Sequence, residues 1–268
     1  MKFTALTAII SLIALVNAAA LPEPVPEAAA NPEAAPAIEL LEKRALATVY
    51  TKCKNSNQVA LTFDDGPYIY EKQLSDLLTQ NGAKGTFFIN GNNYDCVYSS
   101  SIAANLKYTY QAGHQIGDHT WDHKDLTTLT WDQIHDEMWR VEQAMQKILG
   151  VTPALMRPPY GNYNDLVRSA AAIRNQSLVL WDFDSGDSVG ETPSQSETLY
   201  NQAIAKKPKN ILALNHETYQ STVTTVIPYA IKKLKTAGYQ LVTVSECLGI
   251  PAYHSVGKAG TRDSTWHC

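Results

Sequence analysis

The stretch Val59-Ala60-Leu61-Thr62-Phe63-Asp64-Asp65-Gly66-Pro67 decides how the chain is read. Its apolar opening has the look of a buried strand, and Gly66-Pro67 breaks any regular continuation. Two adjacent acids at a strand end point in different directions, so one can ligate a cation while its neighbour stays free to move protons. Asp, Gly and Pro are also what ordinary turns are made of. The weight of the reading therefore rests on what the rest of the chain places beside this turn.

Downstream, strand-like and helix-like segments alternate. Leu74, Leu77 and Leu78 recur at helical spacing before an Asn81-Gly82 stop, and Thr86-Phe87-Phe88-Ile89 is a second strand. A helix over 102–111 precedes a third strand, Gln115-Ile116-Gly117. A long helix over 131–149 carries Ile134, Met138, Val141, Met145 and Ile148 on one stripe, opened by a Thr130…Gln133 capping box and closed by Gly150. Further strands are expected at 155–156, 177–180, 211–214 and 239–244, with helices over 166–173, 193–205 and 226–237. Thr192 and Gln195 flank Pro193 at the first position of the second of these helices. Such alternation predicts an α/β fold, a parallel sheet with helical crossovers. About seven units in one domain favour a (β/α) barrel over an open sheet.

The ends of the chain bound its setting. Residues 1–18 have an early Lys2, an apolar run and small residues ending at Val16-Asn17-Ala18, as in a secretory signal peptide. That run is too short to be kept as a membrane span. Residues 19–44 are rich in Pro, Ala and Glu, a composition that buries no core, and end in the dibasic pair Lys43-Arg44, which reads as a processing site. The domain is thus expected over 45–268, in a protein secreted to the exterior or the cell wall. Setting aside three cations and five carboxylates ahead of residue 45 leaves 19 basic and 21 acidic side chains of the 22 and 26 in the whole chain. A near-neutral balance offers no basic face for nucleic acid or membrane. Cys53, Cys96, Cys247 and Cys268 all follow the dibasic site, and an even number in a secreted chain points to disulfides. Of the three pairings, Cys53 with Cys247 and Cys96 with Cys268 is preferred, because the first ties the opening of the domain to its closing segment. Asn175-Gln176-Ser177 is a glycosylation sequon.

In parallel α/β folds the working residues lie just past the carboxyl ends of the strands. Those positions here hold Asp64 and Asp65, then His119-Thr120-Trp121-Asp122-His123, Arg157-Pro158-Pro159-Tyr160-Gly161, Asp184 with Asp187, and His216. His119 and His123 have the spacing that puts two imidazoles on one side of a helical turn, and a carboxylate such as Asp65 completes a two-His, one-carboxylate set for zinc. A zinc protease would place Glu directly after the first His, where this chain has Thr120. His114, His135, His254 and His267 have no comparable context. Trp121, Tyr68, Tyr94, Tyr160 and Tyr163 lie near these loops, where aromatic faces stack on sugar rings or serve as ordinary core.

With these motifs in this order, the chain resembles the polysaccharide deacetylase family, carbohydrate esterases with a nodulation-type deacetylase domain, and within it the secreted fungal chitin deacetylases. The resemblance runs from the segment before Asp64 to Val244-Ser245-Glu246-Cys247-Leu248. It implies an irregular (β/α) barrel with fewer than eight regular units. It implies a divalent metal, zinc or else cobalt, on Asp65, His119 and His123, with Asp64 as catalytic base. It further implies that Arg157 orients that base, that the Tyr160 backbone N–H helps hold an oxyanion, and that His216 is the catalytic acid. The substrate implied is an N-acetylglucosamine polymer or oligosaccharide, met by a monomer. The chain departs from the family at its fourth motif, where Asp184-Ser185-Gly186-Asp187 is followed by Ser188 instead of Trp. Asp187 is then expected to pair with Arg157, while one wall of the acetyl pocket is lost. Two other functions are weighed: O-deacetylation of acetylated xylan on the same site, and carbohydrate binding without catalysis.

Overall fold

The computed structural model describes residues 46–268, so the expected signal peptide (1–18), propeptide (19–44) and dibasic site lie outside the described residues. Nine short strands form one parallel sheet: β1 (Val49–Tyr50), β2 (Gln58–Asp64), β3 (Gly85–Ile89), β4 (Gln115–Asp118), β6 (Leu155–Met156), β7 (Ser177–Val179), β8 (Phe183–Asp184), β9 (Asn210–His216) and β10 (Gln240–Leu241). β5 (Val151–Pro153) pairs antiparallel with β11 (Tyr253–Val256) outside it. The order is β1-β7-β6-β4-β3-β2-β9-β8, with β10 beside the start of β2. No recorded pairing joins β1 to β8, so the sheet curls into an irregular barrel that is not closed by strand pairing.

The helices are α1 (Glu71–Gln80), α2 (Ser100–Gln111), α3 (Trp131–Leu149), α4 (Asp165–Ile173), α5 (Pro193–Ala205), α6 (Ile227–Thr236) and α7 (Val244–Leu248). β2 is central because it is buried along six of its seven residues, and Phe63 meets Phe87 of β3 at 5.2 Å between ring centroids. Each such large side chain stabilises the fold by about 1.5–3 kcal/mol through apolar burial. α3 begins at the Thr130–Gln133 capping box and ends at Gly150. That glycine has φ +79, and a Cβ there would stand 2.6 Å from the backbone of Gly257. Only glycine satisfies both demands.

The structure corrects two sequence expectations and sharpens a third. The seventh strand, expected over 239–244, is paired only at Gln240–Leu241, because Thr243 and Glu246 form a capping box that starts α7. The helix expected over 226–237 is present as α6, one residue shorter at each end, with a π turn, Thr222–Val226, leading into it. Asp184 does not follow the strand over 177–180 directly; it ends a separate two-residue strand, β8, that pairs with β9. Among the described residues no helix is long and apolar enough to cross a membrane.

Cysteines pair as Cys53–Cys247 and Cys96–Cys268, with Cα atoms 5.1 and 5.9 Å apart. The first bond ties the entry to β2 to α7 across 194 residues of chain. Closing so long a loop restricts the unfolded chain strongly, so removing both sulfurs in C53A/C247A is expected to lower the unfolding free energy by about 2–4 kcal/mol. Chemical denaturation checks this; an unchanged midpoint contradicts it.

Candidate active site

Every residue singled out at a strand end stands on one rim of the sheet. β2 delivers Asp64 at its last position, and Asp65 turns off with φ +72. β4 ends at Asp118, after which His119 and His123 sit in a loop and not on the helical turn their spacing suggested. Thr120 and His123 both have left-handed φ, +71 and +55, and this folds the loop back so that the rings meet at 4.9 Å between centroids. A β-branched residue in that region is strained, and such strain is characteristic of functional loops. The loop is anchored from below: the Asp118 carboxylate accepts the Thr120 N–H at 2.8 Å, and the Asn90 amide donates to the Thr120 carbonyl at 3.0 Å.

Asp65 Oδ1 lies 3.3 Å from His123 Nε2 and 3.5 Å from His119 Nε2. One ligand atom from each of the three residues falls within 4.8 Å of the others. The His119 Nδ1–H donates to the Arg157 carbonyl at 2.7 Å, an orientation that leaves the Nε2 lone pair facing Asp65. Asp65 Oδ1 is buried and has no hydrogen-bond partner among the described residues. A buried acceptor left open beside two imidazole nitrogens fits a divalent cation of the zinc type.

The charges agree with that fit. Burial opposes ionisation of Asp65, but the close contact and charge of His119, with His123 and His216 behind it, hold its carboxyl below the usual carboxylate range. His119 is buried, which disfavours its cation, yet Asp64 and Asp65 outweigh burial and raise its pKa. Burial and the neighbouring His119 push His123 down to about 4, so it offers a neutral ring.

Asp64 is held from the other side. Arg157 is fully buried. Its Nη1 donates to Asp64 Oδ1 at 2.8 Å and to Thr62 Oγ1 at 2.6 Å, while Nε and Nη2 donate to the carbonyls of Val179 and Leu180. A guanidinium so enclosed fixes one Asp64 oxygen and leaves Oδ2 turned to the histidines, 3.7 Å from His119 Nε2.

Asp187 does not pair with Arg157 as expected. Its two oxygens accept the His216 backbone N–H and the His216 Nδ1–H, both at 2.8 Å, and Thr222 Oγ1 donates to the same carboxylate. The reason is topological: β9 brings His216 beside the loop that follows β8, while Arg157 is already consumed by Asp64 and two carbonyls. Burial lowers the pKa of His216, but the Asp187 hydrogen bond and charge prevail and raise it to about 9. Ser188 is exposed.

Tyr160 has φ +61 and is 64 % exposed, with its ring 4.8 Å from that of His123. Tyr94 and Tyr163 are also exposed, but Trp121 is core, packed on Gly91 and covered by the Arg140 guanidinium at 4.0 Å. Sequence reasoning missed Thr62, Asn90 and the buried layer Asp118–Gln176–Glu142–Arg174 that supports the histidine loop. An acid immediately before His119 at a strand end was the available signal for Asp118.

Residues 51–176 match the family described as polysaccharide deacetylase, a span that holds Asp64 through Tyr160 and stops short of Asp187 and His216. A chitin deacetylase from Pestalotiopsis is 37 % identical over 208 residues, which cover 75 % of this chain and 67 % of the relative. A chitin deacetylase from Arthroderma benhamiae is 35 % identical over 76 % of this chain, and this chain spans only 55 % of its length. The solved chitin deacetylase of the fungal pathogen Colletotrichum lindemuthianum superposes with a TM-score of 0.74 at 30 % identity, covering 78 % of this chain and 96 % of that one. A shared curled parallel sheet, matched over nearly the whole of a solved relative, together with that level of identity, places this chain in the polysaccharide deacetylase family.

Proposed function

We propose that this chain is a secreted, divalent-metal-dependent hydrolase that removes N-acetyl groups from chitin or its oligosaccharides, releasing acetate and leaving glucosamine units. The observation that carries the reading is the convergence of Asp65, His119 and His123 within 4.8 Å, with an Arg-held acid on one side and an Asp-held histidine within electrostatic reach. The similarity to fungal chitin deacetylases supports the substrate class. The disulfides fit an oxidising compartment, and the exposed Asn175 suits glycosylation there.

Asp65, His119 and His123 would hold the cation, zinc by donor type, with cobalt a possible substitute. When bound, it supplies Lewis acidity, which polarises an acyl carbonyl and acidifies water toward pKa ~7. Asp64 is the base: Arg157 immobilises Oδ1, so Oδ2 is the atom that receives the proton of the attacking water. His216 is the acid, because an amine leaves only when protonated, and Asp187 keeps the imidazolium charged and oriented. The Tyr160 backbone N–H is assigned to the developing oxyanion. Exposed Tyr160, Tyr94 and Tyr163 offer faces for sugar rings around a monomeric site.

Exposed Ser188 leaves one side of the acetyl pocket open, and that favours a second reading, O-deacetylation of acetylated xylan. Joint retention of Asp64, Asp65, both histidines and His216 disfavours a purely carbohydrate-binding protein. Acetate release from chitin oligosaccharides and from acetylated xylan, by chelator-treated protein with and without added zinc, separates the three. The first reading requires zinc-restored release from the oligosaccharides; release from xylan alone contradicts it.

Asp64→Asn is expected to retain zinc and lose ~10²–10⁴-fold in turnover, whereas His119→Ala loses both metal and activity. Unimpaired kinetics in Asp64→Asn would remove the base assignment. His216 must be protonated to act, so activity falls as pH rises through its pKa. That value is about 9 before any cation adds its repulsion, so the alkaline limb of kcat lies at or below this pH. Asp187→Asn withdraws the charge that raises the pKa, and the limb should move to lower pH. A limb that stays in place contradicts the role of His216.

A further inference from the structure

Beneath the Asp64–Pro67 turn lie two carboxyl groups that the proposed reaction does not use. Glu71 opens α1 and Glu217 directly follows His216 at the end of β9, and both are completely buried. Among the described residues none of their four oxygens has a hydrogen-bond partner. The Tyr68 amide and Thr109 hydroxyl approach Glu217 and Glu71 respectively without reaching hydrogen-bond geometry. Glu217 presses on the turn itself, since a Cβ added to Gly66 would stand 1.5 Å from its Oε1. Any side chain at 66 would displace that carboxyl, and any displacement would shift the residue adjoining Asp65.

Two anions that feel each other's charge cannot be buried together without a counter-charge or a proton. Burial pushes both carboxyls above their usual range, and the charge of Glu71 adds to the rise at Glu217. Among the described residues no Lys or Arg charge is seen to act on either group, and Asp65, another acid, adds to the rise at Glu217. A proton between the two groups removes the repulsion and supplies the donor that their open oxygens lack.

We propose that Glu71 and Glu217 hold at least one proton between them and form a buried, hydrogen-bonded carboxyl clamp that positions the Asp64–Pro67 turn against the end of β9. Glu217 is then a positioning residue. It couples the strand that carries His216 to the turn that carries Asp64 and Asp65, and its effect is exerted through the backbone at Gly66. The inference rests on the reading of that turn as metal-binding, but the protonation state does not.

The test has two arms. Infrared difference spectra at neutral pH, between the wild type and E71Q/E217Q, should show a protonated-carboxyl band that shifts in D2O. Its absence from the wild type, where no variant need fold, overturns the clamp. Zinc titration of the chelator-treated protein supplies the second arm. Gln can bridge to the remaining carboxyl, so E217Q should keep zinc affinity within about threefold. Glu217→Leu cannot bridge and should weaken zinc binding ~10–100-fold, as loss of an outer-layer hydrogen bond typically does. Equal damage from Gln and Leu overturns the hydrogen-bonded clamp, and so does a second bound zinc that disappears in E71Q. If the wild type binds no zinc at all, the proposed function fails while the infrared band still decides the proton.

Discussion

Carboxylates buried at the end of a parallel sheet are tolerable only beside a positive charge or a proton, and that constraint organises the rim of this molecule. Asp64, Asp65 and Asp187 each resolve it differently. Asp64 has a guanidinium that is itself fully buried, so neither partner can be removed without stranding the other, typically at a cost of about 3–5 kcal/mol. Asp187 has the His216 imidazole on one oxygen and the backbone N–H of the same residue on the other. Asp65 has two imidazoles, one of which burial and its neighbour keep neutral. Its Oδ1 is left without a hydrogen-bond partner among the described residues, and it is the one whose geometry suits a cation.

The fold exists to bring these pairs together from distant parts of the chain. Arg157 reaches Asp64 across 93 residues because β6 and β2 lie in one sheet with their carboxyl ends on the same rim. The Arg157 carbonyl also receives the His119 ring, so one residue serves both the proposed base and the proposed metal ligand. Left-handed backbone at Asp65, Thr120, His123 and Tyr160 allows loops this short to aim their groups inward. Strain of that kind persists because the strands on either side over-determine it.

Long, strongly patterned segments were legible in the sequence. α3 announced its stripe, its Thr130–Gln133 box and its Gly150 stop, and all three are present. β2 and the acids at its end were equally clear, because a seven-residue strand buried on both faces shows as an apolar run. What escaped notice had no period to display. Two-residue strands such as β1 and β8 carry no repeat, and β11 pairs through a bulge. The Thr243–Glu246 box was readable but lay within an apolar stretch that also suited a strand. Pairing partners were the hardest to foresee: Asp187 chose His216 over Arg157 through proximity that only the strand order creates.

The account stands on one cation shared by Asp65, His119 and His123. Its most direct test is the X-ray absorption spectrum of zinc bound to the purified protein, which reports donor type and distance without reference to activity. Two imidazole nitrogens at ~2.0–2.1 Å with oxygen completing the shell is the result predicted. An all-oxygen shell, or one containing sulfur, would contradict it.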